Sequence, residues 1–367
     1  MSYTSTMHIA IDARIINSST GTYVERLLYY LQQIDQTNTY SVLVRARDKD
    51  FWQPMSPNFS VRVAEFDNYS WGEQTGFKKF LDELAPDLVH FCMPQQPLLY
   101  RGKSVTTVHD LTLLKTYNSD KNWLAYHFKQ LVGRFVFFMI ARTNTHIITP
   151  TEFTKNEYIQ FARIPAEHVS VTYESADISP TTTEPYDHPF GDYLLYVGQQ
   201  SDYKNIRRLA EAHQLLLQKH PNLGLILVGK KNAAIRRNEA YFAKKGYKNI
   251  HFTGFIANEQ RDWLYQYCAA YVFPSLMEGF GLPGLEAMGY GAPVISSNAT
   301  CLPEVYGDAA HYFDPKNVIA MAGAIDEVLS NPDLRAELIQ AGSKQVAHYS
   351  WRRMAEETLA IYQSAAK

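Results

Sequence analysis

The sequence predicts an α/β protein with two doubly wound domains, each built on a mainly parallel sheet. Two patterns along the 367 residues indicate this class. Short apolar runs of strand length alternate with segments of helical periodicity. Near the middle, residues 178–192 contain three prolines and no periodicity, and the alternation restarts after them. Two such arrays joined by a linker are expected to face each other across a cleft.

The elements of the first array follow in order. A strand at 8–12 leads through a loop containing Gly21 to a helix that begins near Tyr23. Thr151 is expected to cap the helix at 152–161, because its hydroxyl can accept a hydrogen bond from a free amide. The other strands are predicted at 40–44, 61–65, 87–91, 104–108, 145–150 and 168–173, and the other helices at 73–84 and 123–142.

The second array is assigned in the same way. Its strands are predicted at 193–197, 224–228, 250–253, 270–273 and 293–296, and its helices at 205–218, 233–244, 259–267, 318–330 and 351–363. One more helix is expected to begin at Pro283, whose fixed φ suits a first helical position, and to end at Gly291.

Composition and charge narrow the functional classes. The chain is 46% hydrophobic and 20% charged, as in ordinary globular domains. Its formal net charge of −2 provides no general attraction to nucleic acid, so no such partner is expected. Residues 1–7 are mostly polar and lead straight into a strand, which predicts a cytoplasmic protein without a signal peptide.

The chain contains three cysteines, Cys92, Cys268 and Cys301. An odd and scattered set fits neither a disulfide framework nor zinc-ligand spacing. We therefore expect buried structural thiols.

The stretch 269–304 carries the strongest functional signal. A buried strand ends at Pro274, a loop with three glycines follows, and a helix starts at Pro283. Free amides and the positive end of the helix then point to one place and favour an anion. Glu278 and Glu286 flank that place, and carboxylates accept hydrogen bonds from sugar hydroxyls. A nucleotide sugar has both the phosphates and the hydroxyls.

Other interpretations of this stretch stay open. Residues 279–284 match G-x-G-x-x-G, but a dinucleotide-binding loop should follow its strand at once, in the first βαβ unit. The glycines could serve tight turns alone. Two glutamates could also be the acid and nucleophile of a glycosidase, although a hydrolase needs no phosphate site.

The sequence E-G-F-G-L-P-G-L-E, from Glu278 to Glu286, resembles the paired-glutamate motif of the retaining glycosyltransferases of family four, which have the GT-B fold. The resemblance implies that Glu286 binds the ribose hydroxyls of the donor and Glu278 its sugar. It also implies that the backbone of Phe280, Gly281 and Leu282 contacts sugar hydroxyls or the diphosphate.

A second segment, residues 198–206, resembles the family sequence in which a glycine is followed by an arginine and, five residues later, a lysine. Gly198 and Lys204 match this pattern, whereas Gln199 stands in place of the arginine. A leaving diphosphate gains negative charge as the sugar bond breaks, and a fixed cation stabilises it most in the transition state. Lys204 is thus the catalytic candidate. The alternative is that Lys204 is only an exposed lysine near the start of a helix.

Three further resemblances concern single loops. His109, in H-D-L at a strand end, is similar to the family histidine that reaches the transferred sugar, or it caps neighbouring carbonyls. Gly21 lies where the family has a glycine-rich loop at the diphosphate. Phe255 and Ile256 follow a strand where family members contact the base through the backbone. The sequence departs from the family's asparagine-glycine-valine-aspartate motif at Glu174-Ser175-Ala176-Asp177.

These patterns predict the domain organisation. An N-terminal acceptor-side domain is expected over 1–177, a linker over 178–192, and a C-terminal nucleotide-sugar-binding domain over 193–348. Residues 349–367 resemble the family helix that crosses back onto the first domain.

The predicted activity is retaining transfer of a hexose from a nucleotide sugar to a glycan or lipid-linked hydroxyl. GDP-mannose is the preferred donor on family frequency, followed by UDP-glucose and dTDP-rhamnose. We expect no cofactor and no divalent metal ion. A nucleotide-sugar epimerase of the same fold and a non-catalytic binding module are the alternatives.

The most apolar segment, 131–141, is too short to cross a bilayer, which takes about 20 residues. It is expected to form a buried helix or to rest on an anionic inner membrane face. Basic residues surround it: Lys115, Lys121, Lys129, Arg134 and Arg142.

Overall fold

The computed structural model describes residues 6–18, 20–116, 123–178 and 183–367. Lys121, residues 1–5 of the polar N-terminal segment and residues 179–182 of the predicted linker lie outside the described residues.

Thirteen strands occur among the described residues, and the first twelve follow the predicted order. The strands are β1 (His8–Asp12), β2 (Thr39–Val44), β3 (Phe59–Val63), β4 (Leu88–Phe91), β5 (Ser104–Thr107), β6 (His146–Thr149), β7 (Val169–Val171), β8 (Tyr193–Val197), β9 (Gly224–Val228), β10 (Ile250–Gly254), β11 (Ala270–Phe273), β12 (Val294–Ser297) and β13 (Ala310–Phe313).

Thirteen α-helices separate or follow the described strands. The helices are α1 (Gly21–Ile34), α2 (Lys78–Leu84), α3 (Thr112–Lys115), α4 (Trp123–Thr143), α5 (Glu152–Ala162), α6 (Ile206–Leu216), α7 (Ala233–Lys245), α8 (Asn258–Tyr267), α9 (Leu282–Gly289), α10 (Leu302–Tyr306), α11 (Val318–Ser330), α12 (Pro332–Val346) and α13 (Trp351–Ala365).

The chain divides into two compact units. The first comprises residues 1–114, 128–174 and 350–367, and the second comprises 115–127 and 175–349. Each unit contains one parallel sheet, in the order β3-β2-β1-β4-β5-β6-β7 in the first and β10-β9-β8-β11-β12-β13 in the second. The predicted class of two doubly wound parallel-sheet domains is therefore confirmed.

The strand order fixes where loops meet. In the first sheet the order reverses between β1 and β4, and in the second it reverses between β8 and β11. Ligands of open α/β sheets bind at the carboxyl ends of the strands on either side of such a reversal. The loops after β8 and β11 carry Lys204 and Glu278, so the topology brings these two predicted residues to one place.

Apolar burial explains why the strands form. All residues of β4, β9 and β11 are buried, as expected for central parallel strands covered on both faces. Helix α1 buries one face that includes Leu27, Leu28 and Leu31, and each such side chain contributes roughly 1.5–3 kcal/mol to stability. The predicted cap is also present, because Thr151 Oγ1 accepts from the amide of Thr154 at 3.1 Å.

The C-terminal helix α13 belongs to the first unit, as the resemblance implied. It packs on α1 and buries Met354, Thr358 and Tyr362. Tyr362 Oη lies 2.6 Å from Nδ1 of the buried His90 in β4. Both hydrogen-bonding and apolar contacts therefore hold the helix on the first sheet.

The structure corrects several predicted bounds. The predicted helix at 73–84 begins as a π-helix over Glu73–Phe77, and the predicted strand at 61–65 lies at Phe59–Val63. Helix α1 begins at Gly21 rather than near Tyr23, so Gly21 belongs to the helix and not to the loop before it. Four elements had no assignment from sequence: α3, α10, β13 and α12.

Helix α4 contains the apolar segment. One face of it is buried in the core, with Phe137 and Ile140, whereas Leu131 and Phe135 on the other face keep 67% and 58% of their surface accessible. Across the described ranges, no helix is both long enough and apolar enough to cross a membrane.

Candidate functional site

The loop after β8 is joined to the loop after β11 by hydrogen bonds. Asn205 has a left-handed backbone, with φ of 64°, and its side-chain amide donates to the carbonyls of Pro274 and Pro315 at 3.0 and 2.7 Å. The amide of Leu276 donates to the carbonyl of Tyr203 at 2.8 Å. These contacts fix the position of Lys204, which lies between Tyr203 and Asn205.

Lys204 and Glu278 form an ion pair in which Nζ lies 2.6 Å from Oε1. The two side chains are 15% and 12% exposed, so both are shielded from water but remain accessible to a ligand. Burial alone would lower the pKa of Lys204, but the charge of the Glu278 carboxylate raises it above its ordinary value. Lys204 is therefore a fixed cation at any physiological pH.

The main chain of Glu278 is also held in place. Its amide donates to Thr300 Oγ1 at 3.2 Å, and Cys301 Sγ donates to its carbonyl at 3.3 Å. Cys301, Cys92 and Cys268 are all buried free thiols, which confirms the prediction from sequence. Burial raises the pKa of the Cys301 thiol well above its usual range, so it stays protonated and can donate.

The glycine loop after β11 requires two of its glycines for steric reasons. Gly281 has φ of +101°, and a Cβ added there would lie 2.5 Å from Tyr306 Oη. A Cβ at Gly284 would lie 2.2 Å from the same atom. Tyr306 Oη donates to the Gly281 carbonyl at 2.5 Å and thus fixes the turn that opens α9. At the start of α9, Pro283 has no amide hydrogen and the amide of Gly284 already donates to the Gly281 carbonyl at 3.1 Å, so the first turn offers fewer amides to an anion than the sequence predicted.

Glu286 lies on α9 and is partly buried. Tyr265 Oη donates to its Oε2 at 3.1 Å. Burial raises the pKa of Glu286, although the charge of Arg261 and the Tyr265 hydrogen bond oppose the increase. Arg261 itself pairs with Asp262 at 2.7 Å, and Asp262 also accepts from Tyr290 Oη at 2.7 Å. The carboxylate of Glu286 thus keeps acceptor positions that Tyr265 does not use.

The remaining donor-site candidates of the second unit lie in loops. Gln199 is exposed at its side chain, and its carbonyl accepts from Tyr196 Oη at 2.6 Å. The amide of Gly198 donates to the carbonyl at the end of β9 at 3.0 Å. Phe255, which is 81% exposed, and the partly buried Ile256 follow β10.

Phe280 and Leu282 flank Gly281 at the start of α9. The Phe280 side chain is buried against Tyr349, with ring centroids 5.5 Å apart. Leu282, the first residue of α9, is partly buried. Because its ring faces the interior, Phe280 can contribute only backbone groups to a ligand, which is the kind of contact the resemblance assigns to it.

In the first unit, His109 follows the end of β5 and is mostly buried. Its Nδ1 lies 3.1 Å from Glu174 Oε1, and its Nε2 lies 3.1 Å from the carbonyl oxygen of Cys92. The ring of Tyr23 packs against it edge to face, with centroids 4.8 Å apart. The contact with the Cys92 carbonyl is the capping that the alternative predicted, and the contact with Glu174 is an additional side-chain interaction.

Gly21, the donor-site candidate of the first unit, begins α1. A Cβ at this position would lie 1.8 Å from the carbonyl oxygen of Ile16. The glycine is thus required by close packing of the helix against its own preceding loop.

Candidate metal ligands do not cluster in the part of the chain that the structure describes. An Asp-x-Asp triplet occurs at 48–50, but Asp48 is 2% exposed and accepts from Asn17 Nδ2 at 3.1 Å. Among the residues that the structure describes, no group of three or more His, Cys, Asp or Glu side chains is placed to hold a metal ion.

Two family models match the chain, one in each half. The model of the family described as "Glycosyltransferase Family 4" matches residues 20–179, and that described as "Glycosyl transferases group 1" matches residues 189–345. Together the two matches cover most of the chain. The chain belongs to the GT-B glycosyltransferases of the family-four type.

Individual relatives of this chain include two proteins of Escherichia coli. It is 32% identical to O-antigen chain mannosyltransferase B over 229 residues, which is 59% of this chain and 60% of that protein. It is 29% identical to serotype-specific mannosyltransferase WbdA over 376 residues, 94% of this chain and 44% of that protein. The matches thus span less than two thirds of the length of either relative.

A solved structure has the same fold at low identity. Anabaena Alr3699/HepE in complex with UDP and glucose aligns with a TM-score of 0.74 and 18% identity, covering 98% of this chain and all of that chain. At this identity the likeness concerns the fold alone.

Sequence reasoning missed several residues of this glycosyltransferase that hold the site together. Asn205, Tyr265 and Tyr306 each act through hydrogen bonds between elements distant in sequence, and no local pattern marks them. Glu174 is different, because its position in the departing E-S-A-D motif was visible from sequence, although its contact with His109 was not.

Proposed function

We propose that this chain transfers a mannosyl residue from a nucleotide-activated donor, with GDP-mannose preferred, to a hydroxyl of a glycan or lipid-linked acceptor. Its family supports sugar transfer, and the names of two relatives support mannose. The UDP and glucose bound by the Anabaena protein support a nucleotide-sugar donor. The observation that carries the proposal is the accessible Lys204–Glu278 pair, which joins the loops after the neighbouring strands β8 and β11.

The pair explains how one site accepts both parts of a nucleotide sugar. Without a ligand, the Lys204 ammonium group and the Glu278 carboxylate neutralise each other in an ion pair at 2.6 Å. A diphosphate is a stronger partner for the ammonium group than a single carboxylate, because its charge is larger and spread over several acceptor oxygens. Binding therefore transfers Lys204 to the diphosphate and frees Glu278 to accept hydrogen bonds from sugar hydroxyls.

The proposed chemical step retains the anomeric configuration. The acceptor oxygen bonds to C1 of the sugar from the face that the diphosphate leaves, and the C1–O bond to phosphate breaks with its electron pair passing to the diphosphate. The acceptor proton passes to a phosphate oxygen. Lys204 stabilises the charge that develops on the leaving group. No cofactor and no divalent metal ion takes part in this scheme.

Glu286 is assigned to the nucleoside. Two neighbouring ribose hydroxyls require two acceptor positions, and a carboxylate offers about four. Tyr265 occupies one of them and fixes the orientation of the group.

Product analysis tests the activity. The purified chain is incubated with GDP-mannose, UDP-glucose or dTDP-rhamnose and glycan acceptors, and the products are analysed by mass spectrometry. A product heavier by one hexose, formed from GDP-mannose, is expected, and NMR of its anomeric carbon should show the donor configuration. An isomerised donor would indicate an epimerase, and binding without turnover would indicate a binding module.

The variant Glu278→Gln tests the exchange of partners. We expect kcat to fall by about 100-fold, a loss typical of one preorganised polar group. The affinity for GDP should be retained or increased, because Lys204 no longer has to leave a carboxylate. A matched loss of GDP affinity and kcat would contradict the exchange.

We also infer that α4 rests on an anionic inner membrane face from the cytoplasmic side. The helix carries Arg134 and Arg142, and its sequence contains no Asp or Glu; the side chain of the predicted Lys129 lies outside the described ones. Arg142 lies over the Phe138 ring, 3.4 Å from its centroid. Apolar side chains that enter a headgroup region beside cations are the usual features of an interfacial helix. Four such side chains are at least 37% exposed: Leu131, Val132, Phe135 and Phe138.

Vesicle sedimentation tests this surface. Binding to phosphatidylcholine vesicles is expected only when phosphatidylglycerol is included, and it should decrease with salt. The variant Leu131→Ser/Phe135→Ser should lose binding, whereas Leu215→Ser, at a side chain of α6 that is 43% exposed, should retain it. Absence of binding at low salt would overturn the inference, as would self-association that the same variant abolishes.

A further inference from the structure

His109 and Glu174 form a buried pair in the first unit. Their side chains are 15% and 7% exposed, and the imidazole Nδ1 lies 3.1 Å from the carboxylate. The pair joins the end of β5 to the segment after β7, so it depends on the order of the sheet. Glu174 stands at the first position of the E-S-A-D sequence, where the family motif has asparagine.

The hydrogen-bond partners define the protonation of the ring. Glu174 Oε1 and the Cys92 carbonyl are both acceptors, and each lies 3.1 Å from one ring nitrogen. Both ring nitrogens must therefore donate, unless the proton resides on Glu174. An imidazolium that donates from both nitrogens and a carboxylate that accepts satisfy both contacts at once.

We infer that Glu174 is a positioning residue that holds His109 in one orientation as a doubly protonated imidazolium. The contact of His109 with the transferred sugar, and hence any effect on catalysis, rests on the proposed function. The state of the ring itself does not. An asparagine at position 174 would supply no charge, so the departure from the motif changes the electrostatics of this strand end.

The surroundings of the ring support this state. Burial alone would lower the pKa of His109, but the hydrogen bond and the charge of Glu174 raise it above its ordinary value. Asp110, adjacent in the chain, raises it as well. The other titratable groups facing the ring are Tyr23 on α1, His90 on β4 and the Cys92 thiol.

None of these neighbours supplies a competing charge. Burial raises the pKa values of Tyr23 and Cys92 well above their usual ranges, so both stay neutral. Burial lowers the pKa of His90 to about 3, so it is neutral too. Glu174 is therefore the main group that stabilises the positive charge of the protonated His109 ring.

NMR titration of the imidazole nitrogens tests the inference without reference to activity. The His109 signals are assigned from their loss in His109→Asn. In the natural protein both nitrogens should be protonated at pH 6, and the titration midpoint should lie above that of an ordinary histidine. In Glu174→Gln the midpoint should fall by about one pH unit or more, a shift that an adjacent carboxylate commonly causes. Glu174→Asp should restore part of the difference.

Unfolding at two pH values provides a second measurement. Because the folded pKa of His109 is raised, the pair stabilises the fold fully below the ordinary histidine pKa and loses this effect as pH rises through the folded pKa. Glu174→Gln should therefore lower the melting temperature more at pH 6 than at pH 9. A midpoint and a pH dependence equal to those of the natural protein would overturn the inference.

Activity separates this inference from the proposed function. If the chain transfers sugar, the alkaline fall of kcat/KM should move to lower pH in Glu174→Gln and return partly in Glu174→Asp. If no acceptor is glycosylated but the NMR midpoint still moves, the proposed function fails and the role of Glu174 stands. If transfer occurs but Glu174→Gln changes neither the NMR midpoint nor the pH profile, the proposed function stands and the role of Glu174 fails.

Discussion

The two units use charged residues at corresponding sheet positions in different ways. At the end of β1, Arg14 pairs with Asp12 at 2.8 Å and with Glu73 at 3.0 Å, and all three side chains are at most 7% exposed. Arg14 also donates to the Phe66 carbonyl at 2.9 Å and covers the ring of Phe77. At the end of β8, by contrast, Lys204 has a single carboxylate partner and remains partly accessible.

This difference separates structural charges from exchangeable ones. A guanidinium surrounded by carboxylates, a carbonyl and an aromatic ring has no free direction for a ligand. An ammonium group with one partner can exchange that partner for a diphosphate. The same topology thus closes the end of β1 with an internal ion network and leaves the loop after β8 open.

The largest effect is expected from Arg14→Met, which leaves two buried carboxylates unpaired. Breaking a buried ion pair in this way typically costs about 3–5 kcal/mol. We expect the free energy of unfolding of the first unit to fall by that amount in denaturant titrations followed by hydrogen exchange in β1 and β4. An exposed pair offers a control, since Lys79→Met removes a partner from Glu83 at 3.7 Å and should cost almost nothing. A similarly small loss for Arg14 would remove the distinction between the two units.

Lys204→Ala should affect catalysis more than folding. Loss of a preorganised group that stabilises a leaving group lowers kcat by about 10²–10³-fold. The measurement is initial rate with saturating GDP-mannose, with thermal unfolding as a check on the fold. Lys231→Ala is the control, because Lys231 pairs with Glu239 at 3.2 Å and is 59% exposed. Undiminished turnover in Lys204→Ala would exclude the proposed role.

The sequence predicted the sheets better than the contacts that hold the site. The strands at His8–Asp12, Tyr193–Val197, Gly224–Val228 and Ala270–Phe273 lie where they were predicted, because buried parallel strands are short and continuous in apolar character. The edge strand β13 was missed, since two of its four residues are only partly buried and its AHYF sequence mixes polar and apolar side chains.

The candidate residues were visible individually but not as partners. Lys204 and Glu278 were named from separate motifs, and their pairing depends on β8 and β11 being neighbours in the sheet. The contact between Glu174 and His109 likewise depends on three-dimensional order. Local patterns specify which side chains a loop carries, whereas sheet order specifies which loops meet.

Gly281→Ala tests whether the glycine loop is specified by sterics. An alanine would be strained at the positive φ of Gly281, and its Cβ would lie 2.5 Å from Tyr306 Oη. We expect this strain to lower the free energy of unfolding by about 1–3 kcal/mol. We expect a lower melting temperature and weaker GDP binding by calorimetry. Gly323→Ala is the matched control, since its Cβ meets nothing within 4 Å inside α11 and should stabilise the helix by roughly 0.5–1 kcal/mol. Equal responses of the two variants would mean that the loop adapts to a side chain.

The smallest effect is expected from Glu286→Gln, which separates binding from stability. Because burial raises the pKa of Glu286, the folded state holds its proton more tightly than the unfolded state, and this stabilisation is lost as pH rises through the folded pKa. The ionised carboxylate therefore weakens the fold at pH 7, and the variant should melt at a slightly higher temperature.

GDP affinity should fall by about tenfold in Glu286→Gln, the equivalent of one hydrogen bond to a charged group. In the natural protein, affinity should decrease as pH falls through the raised pKa, while in the variant it should not depend on this titration. A lower melting temperature together with unchanged GDP affinity would show that Glu286 supports the fold through Tyr265 and leaves the ribose to other groups.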